Sequence, residues 1–333
     1  MELYAERRLG GLQAVRVHEG AALVHEAAPD PKQRAGEVVV ELRAAALNRR
    51  DLYVRQGLQP FPLPLVPGSD GAGVRRDTGE EVVVYPALGW GAGEEAPGPG
   101  FRILGGPDDG TFAELVRVPL ENVYPKPKRF SWAEAAAFPL AGLTAYRALF
   151  SRGGLRGGET VLVLGAGSGV STFAVSLAAA AGARVLVTSS REDKLERARA
   201  LGAEAGVFYT AGDWAEEIRA LTDGRGVDLV VDSVGATWPH SLRCLRPGGR
   251  VVVFGGTGGQ SAELDVRPFY MGQLSLLGTT MGSARDFAGL LAAIESGAWA
   301  PVIDSVRPLE EAEAAFERLR SADGFGKLVL SIG

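Results

Sequence analysis

The signal most readily tied to chemistry is the run Gly165-Ala166-Gly167-Ser168-Gly169-Val170-Ser171, set between the β-rich Val161–Leu164 and a helical run over 172–181. Glycines at a strand-to-helix turn let main-chain amides, here those of Gly167, Ser168, Gly169 and Val170, approach a pyrophosphate whose charge then lies at a helix N-terminus. The strict G-x-G-x-x-G spacing is not met. Started at Gly165, the pattern has Val170 in place of the third glycine; started at Gly167, it has Thr172. On its own the run also describes a merely tight turn, and what favours a dinucleotide is its place at the first βαβ unit of a series.

About 20 residues further on, an NAD site calls for an acidic residue at the end of the second strand. That strand, Arg184–Thr188, runs instead into Ser189-Ser190-Arg191, with Lys194 close behind. Hydroxyls and cations suit a 2′-phosphate, which favours NADPH over NADH, while Glu192 and Asp193 weigh against it. Ser190 has a second reading as the cap of the next helix with Asp193 three residues on, and that reading leaves Ser189 and Lys194 free. Three histidines and one cysteine cannot assemble a four-cysteine or a two-cysteine, two-histidine zinc site, and a lone cysteine excludes an intrachain disulfide. His240 and Cys244 are four apart on an expected helix, a spacing read as packing because two ligands rarely hold zinc. His18 and His25 are read as surface or structural.

The elements that must position these residues change character along the chain. Up to about Lys128, short β-like runs (Glu37–Arg43, Glu81–Tyr85, Ala113–Val118) are broken by glycines and by Pro60, Pro62, Pro64 and Pro67, as in an irregular β lobe. From Thr160, strands at Val161–Leu164, Arg184–Thr188, Gly206–Tyr209, Asp228–Asp232 and Arg250–Phe254 alternate with helices over 172–181, 191–201, 213–222 and 237–245. That alternation predicts a doubly wound parallel sheet in an α/β fold. The tail is mixed, with helices at Ala284–Ser296 and Leu309–Arg320 and a closing strand at Lys327–Ser331.

A chain of 333 residues, 46% hydrophobic and 23% charged, is long enough for about two domains with sizeable cores. This excludes a disulfide scaffold and wholesale disorder. The formal charge of −5, without a basic run, argues against nucleic acid as a partner. Residues 1–11 carry charges and no apolar core, so they read as a loose extension and not a secretory signal; with a single cysteine this suits a cytoplasmic protein. The uncharged stretch from Thr160 to Ala183 is long enough for a membrane span, but its glycines and β-rich start read as strand, turn and buried helix.

The chain resembles the medium-chain dehydrogenase/reductase superfamily, and within it the zinc-independent quinone-oxidoreductase-like and alcohol-dehydrogenase-like members. The resemblance runs from Leu12 nearly to the end. It rests on Ala44-Ala45-Ala46-Leu47-Asn48-Arg49-Arg50-Asp51, Pro67-Gly68-Ser69-Asp70-Gly71-Ala72-Gly73, Leu143-Thr144-Ala145-Tyr146, the glycine turn, Leu201-Gly202-Ala203, Asp232-Ser233-Val234-Gly235 and Gly255-Gly256-Thr257. It implies a discontinuous GroES-like catalytic lobe over 1–127 and 284–333, a Rossmann nucleotide-binding domain over 128–283, an active cleft between them, and hydride transfer.

In zinc-dependent members the catalytic metal is held by a cysteine, a histidine and usually a second cysteine; the matching positions here are Asn48, Ser69 and Leu140. The family's structural-zinc loop corresponds to Gly89–Gly100, which contains no cysteine. Both zincs are expected to be absent. Without a Lewis acid on the substrate oxygen, a quinone or α,β-unsaturated carbonyl, which delocalises the arriving charge, is the favoured acceptor.

The resemblance also implies that Asn48 donates to the substrate oxygen, that Tyr53 gives a proton or stacks on a ring, and that Asp51 orients its neighbours. The bland alternatives are a loop pinned by Asn48, a core Tyr53, and Asp51 paired with Arg50. Toward the cofactor the resemblance points to Thr144 beside the nicotinamide, Tyr209 and Ser233 nearer the adenosine half, and the Gly255-Gly256-Thr257 turn, with ordinary helix or strand roles as the alternative; Lys327, in Phe325-Gly326-Lys327 by the closing strand, reads as a cation able to reach the cofactor phosphates or as an exposed surface lysine. The resemblance further implies a homodimer through an edge strand at Ser275–Thr280. Two rival functions stay open: an alcohol or aldehyde dehydrogenase of the same superfamily, and an NADPH-binding sensor with little turnover.

Overall fold

A computed structural model describes residues 11–297 and 299–333 in two units. The expected N-terminal extension, apart from Gly11, lies outside the described residues. The first unit comprises the described residues up to Leu140 with Ser283–Phe287 and Ala300–Gly333; the second comprises Ala141–Gly282 and the described residues from Ala288 to Trp299. The division therefore falls at 140 where the sequence places it at 127. The cause is the alanine-rich helix Trp132–Ala137, which is capped by Ser131 and packs on the strands Glu37–Ala46, Asp70–Arg75 and Lys327–Ser331 of the first unit. Phe287, one turn into the helix Ala284–Ser296, joins the same unit by packing its ring with Tyr85, Tyr124 and Phe138.

In the first unit the main sheet runs in the order Ile303–Pro308, Lys327–Ser331, Glu37–Ala46, Asp70–Arg75, Glu81–Val84, Val123–Pro125, with Leu115–Pro119 also pairing with Glu37–Ala46. Its register decides the site. Ala46 lies opposite Asp70 on one side and opposite Val329 on the other, so Asn48, Asp70 and Lys327 are brought within two or three residues of one ladder point. Glycine is required at Gly73, where a Cβ would lie 2.1 Å from the Glu41 carbonyl oxygen, and the register slips by one residue between Leu42 and Ala44. Leu42, Leu104, Phe112, Phe316 and Leu330 form the core beneath this sheet.

The second unit is a six-stranded sheet with every ladder parallel, in the order Ala205–Phe208, Arg184–Ser189, Thr160–Val163, Val227–Asp232, Leu245–Val253, Ser275–Gly278. The chain winds outward one way from Thr160–Val163 and the other way from Val227–Asp232, which makes that pair the topological switch point. Leu162, Leu186, Trp214, Ile218, Val230 and Val251 fill its core. The strand expected at Arg250–Phe254 begins earlier, because Leu245 already pairs with Val227 before the ladder is interrupted. The tract from Thr160 to Ala183 is strand, turn and helix, and no helix among the described residues is long and apolar enough to cross a membrane.

Sequence patterning does not reveal the short helices Arg49–Arg55, Trp132–Ala137, Pro139–Tyr146 and Val266–Met271. At six to eight residues they offer at most two turns over which a 3.6-residue period can be read.

Candidate active site

The glycine turn of the second unit is built to present amides. Gly165 and Gly167 take φ of +69° and +105°, values that L side chains rarely adopt. The turn is tied to the neighbouring strand, as Gly165 N donates to Thr188 Oγ1 (3.0 Å) and Ala166 N to the Thr188 carbonyl (2.7 Å). Ser168 caps the helix Gly169–Ala180 by accepting from Ser171 N (3.1 Å), and the Ser171 hydroxyl donates to the Leu164 carbonyl (3.1 Å). Ser171 thus braces the turn from within the first helical turn. The amides of Gly169 and Val170, in the first helical turn, have no intrahelical acceptor and are the natural donors to an anion.

The other cofactor candidates follow the C-terminal ends of parallel strands, on the edge where such sheets bind ligands. Ser189 is buried, and its hydroxyl accepts from Arg191 N (3.1 Å) while its carbonyl accepts from Tyr209 N (3.1 Å). Ser190 is exposed and is not the helix cap: Arg191 holds that position, without a side-chain capping bond. The Arg191 guanidinium instead clasps the Asp193 carboxylate through two 2.8 Å bonds, which holds the Asp193 pKa below its ordinary value. The Lys194 side chain is largely buried.

The Ser233 carbonyl accepts from both Thr257 N (3.2 Å) and Thr257 Oγ1 (3.1 Å), and a Cβ on Gly255 would come within 2.8 Å of that same oxygen. Ser233, Gly255, Gly256 and Thr257 are therefore one surface. Asp232 sets it from beneath by accepting from Val234 N (2.6 Å), Gly235 N (3.0 Å) and the Ser241 hydroxyl (3.3 Å), although burial pushes its pKa up. Thr144 is buried on the helix Pro139–Tyr146 of this unit.

The second cluster lies in the first unit, where Asn48 is the N-cap of the helix Arg49–Arg55 and Asp51 its third residue. Asn48 N donates to Asp51 Oδ2 (2.7 Å), the reach-back half of a capping box. Asp51 is wholly buried; its Oδ1 has no hydrogen bond and lies 3.9 Å from Arg50 Nη1. Burial raises its pKa to about 6, against the pull of Arg50. Asp51 thus holds the Asn48 backbone amide with one oxygen and faces Arg50 with the other.

Arg50 turns to the Ser69 hydroxyl (2.8 Å) and the Leu104 carbonyl (3.0 Å), and Ser69 Oγ itself donates to that carbonyl (2.7 Å). Tyr53 is half-buried on the same helix, and its hydroxyl makes no hydrogen bond among the described residues.

Lys327 corrects the expectation that it reaches the cofactor phosphates. It is 2% exposed, and its ammonium spends its three protons on the Leu47 carbonyl (2.7 Å), Asn48 Oδ1 (2.6 Å) and Asp70 Oδ2 (2.9 Å). Asp70 Oδ2 also accepts from Asn48 Nδ2 (2.9 Å), while its Oδ1 accepts from the Leu140 amide (2.7 Å). Arg50 and Ser69 are residues of this cluster that sequence reasoning left without a positive role, and Asp70 is one it weighed only as an unusual zinc ligand. The signal that could have found Asp70 is a carboxylate beside Gly71-Ala72-Gly73, a tract whose glycines betray close strand contact.

Of the three positions matching a catalytic zinc in relatives, Asn48 and Leu140 both bond to Asp70, while the Ser69 hydroxyl is taken up by Arg50 and the Leu104 carbonyl. Asn48 and Ser69 are already engaged, Leu140 contributes only its amide, and a buried ammonium sits 2.6 Å from the Asn48 amide oxygen, where a metal ligand would need a free lone pair. These residues do not fit a zinc ion. Among the described residues no three His, Cys, Asp or Glu side chains are grouped to hold a metal.

The chain is similar to known proteins over both units. Residues 34–128 match the profile of the family described as "Alcohol dehydrogenase GroES-like domain", and residues 169–296 that of "Zinc-binding dehydrogenase". It is 36% identical to a "zinc-type alcohol dehydrogenase-like protein" of Schizosaccharomyces pombe, over 90% of this chain and 92% of that one. It is 30% identical to a "quinone oxidoreductase" of Rattus norvegicus, over 96% and 97% respectively. A crystal structure of an "NAD-dependent alcohol dehydrogenase", 40% identical, superposes with a TM-score of 0.91 over 96% of this chain and all of the other. With a GroES-like lobe, a Rossmann sheet and these relatives, the chain is an oxidoreductase belonging to the medium-chain dehydrogenase/reductase superfamily.

Proposed function

We propose that this protein is an NADPH-dependent, zinc-independent reductase of a quinone, an enone or a related conjugated carbonyl. The observation that carries the reading is Asn48: it stands where zinc-dependent relatives have a ligand, and its amide is held by Asp70 and Lys327 with one Nδ2 proton left over. A hydrogen-bond donor of this kind suits an acceptor whose own conjugation spreads the arriving charge, whereas a simple ketone gains more from a Lewis acid. The likeness to the rat protein named quinone oxidoreductase supports the same substrate class.

When bound, the nicotinamide supplies the hydride. The amides of Gly167, Ser168, Gly169 and Val170 would hold the pyrophosphate, with Thr144, Tyr209, Ser233, Gly255, Gly256 and Thr257 along the rest of the cofactor. Ser189, Ser190, Arg191 and Lys194 would receive the 2′-phosphate. The Arg191–Asp193 pair is about half exposed on both sides, and such pairs are worth roughly 0–1 kcal/mol, so Arg191 can exchange Asp193 for a phosphate at small cost. Asn48 would donate to the substrate oxygen and Tyr53, with its free hydroxyl, would supply the proton.

The test is to titrate chelator-treated protein with NADPH and NADH by fluorescence, then to add a quinone and an enone to the same sample. NADPH is expected to bind more tightly and to be oxidised. Preference for NADH, as the name of the superposed crystal structure would suggest, overturns the phosphate assignment; activity only on alcohols and only after zinc is restored overturns the substrate class. Binding without turnover on any substrate would make the chain a sensor.

A homodimer is part of the same proposal. The strand Ser275–Gly278 pairs only with Leu245–Val253 among the described strands, and the helix before it exposes Val266, Tyr270 and Met271. A second copy at that edge would cover both. Sedimentation at micromolar concentration should give twice the chain mass; a monomer there refutes it.

A further inference from the structure

We propose that Lys327 takes over the place of a metal cation in this site: as a positioning residue, together with Asp70, it locks the Asn48 amide with its nitrogen toward the substrate oxygen. The inference rests on the reading of Asn48 as the group that meets that oxygen.

The argument starts from what each partner can do. An ammonium only donates and a carboxylate only accepts. Asn48 Oδ1 receives Lys327 Nζ at 2.6 Å, and Asn48 Nδ2 gives to Asp70 Oδ2 at 2.9 Å. A half-turn of the amide would set NH₂ against the ammonium and the carbonyl against the carboxylate, so only one orientation is tolerated. Two further bonds pin the frame, from Lys327 to the Leu47 carbonyl and from the Leu140 amide to Asp70 Oδ1.

Exposure and hydrogen-bond accounting then single out Asn48. Asp70 and Ser69 are fully buried and Lys327 is 2% exposed, whereas Asn48 keeps 7%. Every proton of Lys327 and of the Ser69 hydroxyl is committed, so the second Nδ2 proton of Asn48 is the donor this set has to offer. Packing alone does not call for a buried ion pair, which loses hydration that well-packed apolar groups of like volume would not. Its use here is orientation, achieved without a coordination bond.

The decisive experiment measures NADPH dissociation, kcat and KM for Lys327→Met, Lys327→Gln, Asn48→Ala and the double variant Lys327→Met/Asn48→Ala. Lys327→Met is expected to lower kcat about 100-fold, the scale of losing one donor to a developing oxyanion. NADPH affinity should stay within about threefold, and Lys327→Gln, which keeps a donor for Asn48 Oδ1, should recover roughly tenfold of the loss. In the Asn48→Ala background, Lys327→Met should cost less than about threefold more, since both act through one group. A tenfold or larger loss of NADPH affinity would return Lys327 to the phosphates, and full additivity would show that it acts independently of Asn48; either overturns the proposal.

If Lys327→Met fails to fold because Asp70 is left unpaired, Lys327→Met/Asp70→Asn removes both charges, and wild-type kcat in that variant also refutes the idea. A readout free of turnover separates this inference from the proposed reaction. The chain contains only two asparagines, Asn48 and Asn122, so ¹⁵N-asparagine labelling resolves both side-chain amides. Asn48 should show one slowly and one rapidly exchanging proton, and both should exchange rapidly in Lys327→Met. Two rapidly exchanging protons in the wild type would refute the lock even if the enzyme reduces quinones.

Discussion

Replacing Asp70 by alanine is expected to lower the stability of the first unit by about 3–5 kcal/mol, the usual cost of stranding one member of a buried ion pair. Three donors lose their acceptor at once: the Lys327 ammonium, Asn48 Nδ2 and the Leu140 amide. Water is a poor substitute for the ammonium in particular, since Lys327 is 2% exposed and the carboxylate it faces is fully buried. Hydrogen exchange of amides in the strands Glu37–Ala46 and Lys327–Ser331 gives the clearest reading, because it follows this unit without assuming that the whole chain unfolds in one step. Adding Lys327→Met to Asp70→Ala should restore a large part of the loss by removing the stranded charge. If Asp70→Ala alone leaves protection in those strands unchanged, the pair is not the buried network described.

Asp51 should leave its mark on the pH dependence of stability. Burial lifts its pKa from 3.8 to about 6, so between those values the native state retains a proton that the unfolded chain has released. The unfolding free energy therefore falls as pH rises from about 4 to about 6, by roughly 3 kcal/mol for a shift of about two units. Above that window the native state carries a buried carboxylate whose Oδ1 has no hydrogen bond. Asp51→Asn keeps an oxygen for the Asn48 amide and cannot ionise, so it should remove this contribution and raise stability at pH 7.5 by up to about 3 kcal/mol. Chemical denaturation of wild type and variant from pH 4 to 7.5 isolates the effect, since the other carboxylates cancel in the difference. Parallel curves would show that Asp51 does not titrate in this range.

How much of the site was legible depended on whether its signal was local. The glycine turn, the serine-and-cation end of the second strand and the Asp232–Ser233 and Gly255–Thr257 loops are contiguous, and a period that alternates strand and helix is enough to place them along one sheet edge. Ser190 shows the limit of local reading: its spacing to Asp193 suits a cap, yet Arg191 takes that position and Ser189 braces the loop. The helix Arg49–Arg55 was hidden because two turns carry almost no periodicity, and its capping carboxylate is read easily only once the helix is known.

Lys327 marks where sequence reasoning fails outright. From the motif Phe325-Gly326-Lys327 alone, a lysine near the end of the chain reads as a surface or phosphate-facing cation. Its partners Asn48 and Asp70 are 279 and 257 residues away. By itself, then, the sequence determined the α/β class and the parallel Rossmann sheet, which follow from local composition, period and spacing, while its motifs carried the resemblance that marks the superfamily and the residue types at the metal positions. Only the tertiary structure decided that Asn48 is held between the Lys327 ammonium and Asp70, since that depends on antiparallel register setting Ala46 opposite both Asp70 and Val329. Register is fixed by the burial of whole strand faces, a property of the packed sheet that no single segment carries.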